Sequence, residues 1–471
     1  MTFKIATQKF AHALFRSQRR FNKILILINH YFLRKNLLKI IILTTYILFK
    51  FNKFLHLSQK LPNLSQKFTI FRYNALNSTQ GYTMKTLHKL TLAAALCVAS
   101  APALEFSELG HKSLSMGSTG VALKNNPYAI FYNPALSAAS PATRLGYGLN
   151  GSFAEKNILQ VFNYDLSNVQ DIGAFNELLK DNFVNIKLSG AVAFKLPDIL
   201  PYGQLSVGFA QSVYGVANFT GKIEKPSSLQ EAMSPVNGEK KPVTLNMRRV
   251  DIMEIPVSYA ISNETPIGQV SVGAAVKFMN ASSKLTNEPL SVNHKKDDIL
   301  NKVQDTLKGS GATSASNVGL DLGVVYSPMD LGLSVGLSAK NLNAPKFKFG
   351  ENGELKIKPQ ARLGAAWELG EIVSIAGDID LTNNELISAS KEAKKQTSQK
   401  IGIGAAVDMM FFGARAGVAK DLRQDNGAIL SLGLGFGFLD IGAAVATKTS
   451  KVENTSYPRY FAITVGGGFS F

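Results

Sequence analysis

One cysteine in 471 residues, Cys97, and one tryptophan, Trp367, mark what this chain has least of. Cys97 follows Leu96 in an apolar segment, so the small residue that a lipoprotein anchor wants before its cysteine is missing. Once that segment is removed on export, no thiol remains, which excludes disulfides and thiolate metal sites. Histidine is also scarce. Beyond Ala103 only His111 and His294 remain, so a Ser–His relay along a sheet wall lacks its base, and the chain reads as a non-enzyme. Residues 1–83 hold no aspartate or glutamate, against 14 lysines and arginines. Long apolar runs are absent too: Ile40–Phe49, ten residues between Lys39 and Lys50, is too short to span a bilayer as a helix.

The missing acids account for the formal net charge of +18. Beyond the 14 basic residues of 1–83, Lys85 and Lys89 precede Ala103, leaving 35 basic against 33 acidic residues from Leu104 onward. The basic character belongs to the leader, and a nucleic-acid partner loses its support. Met84–Ala103 (MKTLHKLTLAAALCVASAPA) has a basic start, an apolar stretch from Leu90 to Ala99 and an Ala101-Pro102-Ala103 cleavage site. That is a secretory signal peptide, cleaved after Ala103. Of residues 1–83, 52 are Phe, Ile, Leu, Lys, Asn or Tyr, the residues of A/T-rich codons. The expectation is that 1–83 is upstream sequence translated from an over-extended start; the rival is a membrane-anchoring extension.

What the chain has is alternation. Some 14 segments between Arg144 and Phe471 carry apolar residues at every second position, among them Arg144–Phe153, Leu245–Tyr259, Gln269–Met279, Asn317–Tyr326 and Gln360–Leu369. In Ala428–Phe438, Leu430, Leu432, Leu434, Phe436 and Phe438 oppose Ser431, Gly433, Gly435 and Gly437. In Tyr460–Phe471 the pattern runs to the last residue, where it resembles the terminal signature of bacterial outer-membrane barrels that the barrel-assembly machinery reads through the final aromatic, here Phe471. Short turns alternate with longer polar insertions, the layout of such barrels. The expected fold is all-β, an antiparallel outer-membrane barrel of about 14 strands, allowing 12 to 16, with an N-terminal plug and a few short loop helices. A soluble sandwich is the alternative.

On the small-residue faces, Arg144, Lys187, Lys277, Asp321, Arg362, Glu368, Asp378, Asp380 and Arg415 are the charges expected to face the lumen; the plain alternative for each is a solvated, paired structural charge. Asp378 and Asp380 lie two apart on one face, but a single pair on a generic pattern does not define a cation site, and no metal or other cofactor is assigned. Gly402-x-Gly404 and Gly433-x-Gly435-x-Gly437 lie within alternating strands and read as lumen-facing glycines rather than phosphate loops. Asn168–Asp181 and Asp297–Leu307 have helical spacing, while Lys222–Pro242 and Asn383–Gln399 are polar and read as mobile; all four are expected as extracellular loops.

The most specific segment is Leu104–Leu136 (LEFSELGHKSLSMGSTGVALKNNPYAIFYNPAL). Its Met116–Ala122 glycine-rich stretch and Asn133-Pro134-Ala135 resemble the N-terminal plug of the FadL family, outer-membrane transporters of long-chain fatty acids and other hydrophobic compounds. The same opening occurs in TraF-type conjugal transfer barrels and the secretion-associated PorV group. Later segments (NVGLDLGVVYSP, LSVGLSAKNLNAPKF, KPQARLGAAWEL, IAGDIDLTNN) look closer to these two. The resemblance implies a plug over 104–142, a transmembrane barrel over 143–471, and plug or gating roles for Gly117, Gly120, Asn133, Pro134 and Ala135. Pro134 also biases Asn133 toward extended backbone, and the Asn133 side chain can hold a local turn. For function the resemblance implies passage of hydrophobic small molecules across the outer membrane. The alternative it implies is a structural role in a conjugation or secretion assembly. The partners are outer-membrane lipid, the assembly machinery, a hydrophobic ligand and an envelope partner.

Overall fold

The computed structural model describes residues 109–470, except 141, 163–171, 198–201, 224–242, 290–303, 307, 330, 371, 391–392, 410 and 453–454, together with the backbone of Ala103–Leu104. Residues 1–83, nearly all of the signal peptide, most of Lys222–Pro242, His294 and Phe471 lie outside the described residues.

Fourteen antiparallel strands close into a barrel. They are β1 Arg144–Lys156, β2 Phe183–Lys195, β3 Gln204–Gly221, β4 Val243–Thr265, β5 Gly268–Pro289, β6 Thr313–Pro328 and β7 Leu333–Lys340. The second half comprises β8 Gln360–Leu369, β9 Val373–Asp380, β10 Lys400–Asp408, β11 Phe412–Asp421, β12 Ala428–Phe436, β13 Leu439–Ala446 and β14 Tyr460–Ser470. The ring shuts where β14 pairs with β1, from Arg144↔Ser470 to Ala154↔Tyr460. Closure leaves the sheet no free edge, which a wall in lipid requires.

The alternation sorts the two faces. Leu188, Phe278, Leu320, Trp367, Ile403, Leu432, Ile441 and Ile463 stand exposed on the outside, while the residues between them turn inward. At the rim of short turns, aromatic tips latch neighbouring carbonyls: Tyr326 Oη donates to Ile267 O at 2.8 Å and Trp367 Nε1 to Leu331 O at 3.0 Å. Such amphipathic rings suit the boundary between hydrocarbon and water.

The wall is not of even height. β4 and β5 run 23 and 22 residues, whereas β7, β9 and β13 have eight. Above Phe278, the outward residues of β5 become Asn280, Ser282, Lys284, Thr286 and Glu288, and the Asn280 amide bonds Ser316 Oγ on β6 at 2.9 Å. The hydrogen-bonded ladder therefore continues past the apolar belt. The expected segments Leu245–Tyr259, Gln269–Met279 and Asn317–Tyr326 stopped where apolar alternation stops, and all three strands are longer.

On the long-loop rim, α4 (Ile158–Phe162) and α5 (Ile172–Lys180) bury Ile158, Val161, Phe175 and Leu179 against Phe219, Leu245 and Met247. Those wall positions share the outward face of Val207 and Val257 further down β3 and β4. The spacing over Asn168–Asp181 does form a helix, α5; Asp297–Leu307 lies mostly outside the described residues. Asn383–Gln399 differs from its reading as a mobile loop. Asn384–Glu385 and Thr397–Ser398 pair, and Ile387 and Ala389 are buried with Phe347, Phe349, Leu355, Ile357, Val250, Ile252 and Met279. Insertions from the long-loop rim thus fold into the mouth of the tall side. Gly437 also departs from its strand reading: with φ +60 it makes the turn after β12.

Candidate functional site: the plug and its seat

Leu109–Ser140 fills the lumen. Three short helices punctuate it: α1 His111–Ser115, α2 Ala129–Tyr132 and α3 Leu136–Ala139. None is long enough to stand alone, so the wall fixes their positions.

On the β8–β13 side the seat is polar. Arg362 Nε donates to Asp380 Oδ1 at 2.6 Å and its Nη1 to Ser118 O at 2.9 Å. Asp378 Oδ2 accepts from the backbone N–H groups of Gly120 (2.8 Å) and Val121 (3.1 Å). Glu368 takes the N–H groups of Lys124 and Asn125 at 3.0 and 3.1 Å. Beside them, Lys112 Nζ lies 2.8 Å from Asp408, and Arg415 pairs with both Asp408 and Asp440. His111 Nε2 stands 3.2 Å from Asp440 Oδ2. Burial first, then the charges of Arg415 and Lys112, hold the His111 imidazole well below its usual pKa. That makes it a neutral neighbour of the carboxylate rather than a true ion pair.

Here the plug backbone also lies directly against the wall. A Cβ on Gly402 would stand 1.8 Å from Gly117 O, and Gly117 itself has φ +67 with the carbonyls of Ile403 and Val418 beneath it. Only glycine tolerates both demands.

On the β3–β7 side the seat is mainly apolar. The Phe131 ring and Pro256 both lie against Gly208, Pro134 and Ala135 lie on Gly273, and Leu136 and Ala139 pack with Val325. Asn133 is its polar pin. Its Nδ2 donates to Val121 O at 3.0 Å and Val324 O at 3.2 Å, and its Oδ1 takes the N–H of Ala135 at 3.0 Å, the local turn that Asn-Pro allows. The Asn133 backbone is extended, with φ −154 and ψ 113, as a residue before proline should be. Lys340 Nζ bonds Phe131 O at 3.1 Å. Further along the wall, Lys277 pairs with Asp321 at 3.1 Å and approaches Glu254 at 3.6 Å.

The wall behind Phe131 has a lapse. The β3–β4 ladder runs from Gln204↔Ala260 to Gly221↔Val243 but omits Gly208 and Phe209 opposite Ile255 and Pro256. Pro256 has no N–H to give, and proline inside a sheet is otherwise confined to edges and bulges.

The sequence-derived candidates thus fall into separate groups. Gly117, Gly120, Arg362, Glu368, Asp378, Asp380 and Arg415 meet on the polar side, whereas Asn133, Pro134 and Ala135 sit on the apolar side with Lys277 and Asp321 on the wall nearby. Arg144 bonds Ser140 Oγ at 3.0 Å near the plug's end, and Lys187 lies apart, 5.5 Å from the Tyr214 ring centroid. Sequence reasoning missed Lys112, Asp408, Asp440, Phe131 and Pro256. For Pro256 a signal existed: a proline in the middle of an alternating segment.

The model for the F plasmid transfer operon TraF protein family matches residues 130–380, more than half of the chain. This chain belongs to that family. The match begins at Ile130, in α2 within the lumen, and ends at Asp380, the partner of Arg362. No curated protein matches the sequence. Among solved structures, the TraF-family chain is similar to the P. putida toluene transporter TodX, with 15% identity over 78% of this chain and 98% of that one and a TM-score of 0.45. A TodX deltaS2 mutant channel gives 14%, 78%, 99% and 0.47, and the CymD monoaromatic hydrocarbon channel 14%, 78%, 98% and 0.40.

Proposed function

We propose that this TraF-family barrel sits in the outer membrane and passes hydrophobic small molecules, with the α2–α3 side of the plug as its moving part. The observation that carries the reading is the lapse at Gly208–Pro256 with Phe131 behind it. It lies on the side where the plug is held mainly by packing, opposite the side where charges anchor it. Displacing Phe131 would uncover from the lumen side the stretch of wall where two pairs are missing from the β3–β4 ladder, its weakest point for a lateral exit.

The test is uptake of an apolar fluorescent dye by cells carrying the barrel. Phe131→Ala should raise uptake. Pro256→Thr, which returns an N–H donor to the ladder, should lower it. Uptake that neither change alters would sink this reading.

A second reading, a structural part of a conjugation or secretion assembly, draws on the family and on a different observation. A space between α1 and the wall is only about 30 Å³ and has Asn150, Ser152, Lys187, Ser189 and Lys400 in its lining beside Leu114, Ala462 and Ile463. Unchanged dye uptake, with envelope proteins co-purifying through the long-loop rim, would favour it.

Both readings include export through Met84–Ala103, a mature chain starting near Leu104 with plug over 104–142 and barrel over 143–471, and recognition of Phe471 by the assembly machinery. Residues 1–83 are read as upstream sequence. Peptides from Lys4–Arg72 in the natural protein would overturn that.

A further inference from the structure

The Asn383–Gln399 insertion lays a strap across the mouth. Within it Ile387 and Ala389 turn inward, 5% and 1% exposed, while Leu386, Ser388 and Ser390 are half-buried. The two inward side chains enter a cluster with Val250 and Ile252 of β4, Met279 of β5 and the rings of Phe347 and Phe349, whose centroids stack 6.5 Å apart. No described plug residue belongs to that cluster. The strap is lightly held. Leu386 N–H bonds Gln396 O at 2.9 Å. Beyond it, the backbone of Ile387, Ser388 and Ala389 takes one bond from the described residues, Arg248 Nη1 to Ser388 O at 3.4 Å. The other tethers are partly exposed polar pairs: Lys394 and Gln396 on Asp181, Lys358 and Lys395 on Glu385. Under the strap is a space of about 10 Å³, and the side-chain oxygens of Asn185 and Asn218, two of its lining residues, have no donor.

Buried acceptors without donors are costly, so the closed strap leaves Asn185 and Asn218 worse off than an open one that admits water. Two apolar side chains on a weakly bonded backbone fill a pocket whose other walls are strands and a hairpin. We propose that Leu386–Ser390 is a displaceable strap over a binding site in the mouth for one compact, uncharged apolar molecule. The ligand takes the places of Ile387 and Ala389 among Phe347, Phe349 and Met279, where a charged group would be desolvated without a partner. Arg248 keeps Glu354 O at 2.9 Å and Ser283 Oγ at 3.0 Å when Ser388 leaves, so the ligand has no acceptor to supply. The inference rests on the reading of the barrel as a passage for apolar molecules, and it adds to the plug a second gate at the mouth.

Without the signal peptide the chain has no cysteine, so Ala389→Cys supplies a single thiol on the buried side of the strap. The intact mature barrel in detergent is labelled with a maleimide, and Ala419→Cys, buried beside the plug on β11, is the reference. Labelling of Ala389→Cys should quicken about threefold or more in cyclohexane-saturated buffer, and likewise when Asp181→Asn removes a tether. Ala419→Cys should respond to neither change. Cyclohexanecarboxylate at the same concentration and pH 7 should leave both rates as they are. Should Ala389→Cys fail to fold, Ile387→Cys takes its place with the same expectations. A strap thiol indifferent to cyclohexane, or one that quickens no more than Ala419→Cys, would overturn the site. A response to the carboxylate would overturn the ligand class. Dye uptake through Phe131 and Pro256 reads the plug side alone, so either result can fail without the other.

Discussion

The two sides of the plug are held by different physics. Toward β8–β13 the contacts are charges and backbone donors: Arg362 on Ser118, Asp378 on Gly120 and Val121, Glu368 on Lys124 and Asn125, Lys112 on Asp408. Toward β3–β7 they are mostly rings, methyls and glycine faces, pinned by Asn133 and Lys340. Ionic contacts at low exposure are directional, and they are strongly destabilising when one partner is lost. Apolar contacts are non-directional and can re-form after a shift. The comparison therefore assigns anchoring to one side and freedom to move to the other.

The largest effect should come from breaking the anchor. Arg415→Met leaves Asp408 and Asp440 without their shared cation in a buried setting, which should cost about 3–5 kcal/mol. The unfolding midpoint, read by heat-modifiable gel migration, should fall accordingly. A change close to zero would show that the cluster is solvated and that the polar side does not anchor the plug.

A pair of glycine changes sharpens the contrast. The Cβ of Gly402→Ala would stand 1.8 Å from the Gly117 carbonyl, which is backbone, and that of Gly323→Ala 1.8 Å from Asn133 Oδ1, which is side chain. Relief of the second clash can come from rotating the Asn133 side chain, at the cost of its bonds to Val121 O, Val324 O and the Ala135 N–H, whereas the first must move the plug backbone itself. Overpacking costs of about 1–3 kcal/mol should place Gly402→Ala at the upper end and Gly323→Ala at the lower. The reverse order, measured by the same midpoint, would mean that the Asn133 side is the rigid one.

How much of this was legible in the sequence depends on which force writes a signal into it. All fourteen strands were readable because each shows apolar groups on the outer face of the barrel and small or polar ones to the lumen, as Leu430 to Phe438 against Ser431 to Gly437 does. Alternation marks the crossing of the apolar belt and not the length of the strand. That is why the polar outer face from Asn280 to Glu288 gave no sign of continuing β5. Asn383–Gln399 misled for a related reason: two buried apolar residues, Ile387 and Ala389, are too few to break a polar composition. The partners of the inward charges were not readable at all. Asp440 meets His111, more than three hundred positions away, only because the ring closes and α1 lies across β11–β14.

The smallest effect concerns the rim above the apolar side. Asp181 takes Lys156 Nζ at 2.7 Å, Lys394 Nζ at 2.8 Å and Gln396 Nε2 at 2.9 Å. It thereby ties the segment carrying Ile387 and Ala389 to the end of β1. Burial alone would raise this carboxyl, but the hydrogen bonds from Lys156, Lys394 and Gln396 outweigh it and lower its pKa to about 2. A depressed folded-state value means the contribution is fully present above the ordinary carboxylate range near pH 4 and is lost as pH falls through about 2. The site is partly open to solvent, so the gain is screened and should stay below about 1 kcal/mol. Asp181→Asn should lower the midpoint slightly at neutral pH and flatten its acid dependence between about pH 4 and 2. If the variant and the wild type differ equally at neutral pH and near pH 2, Asp181 holds the mouth by shape and not by charge.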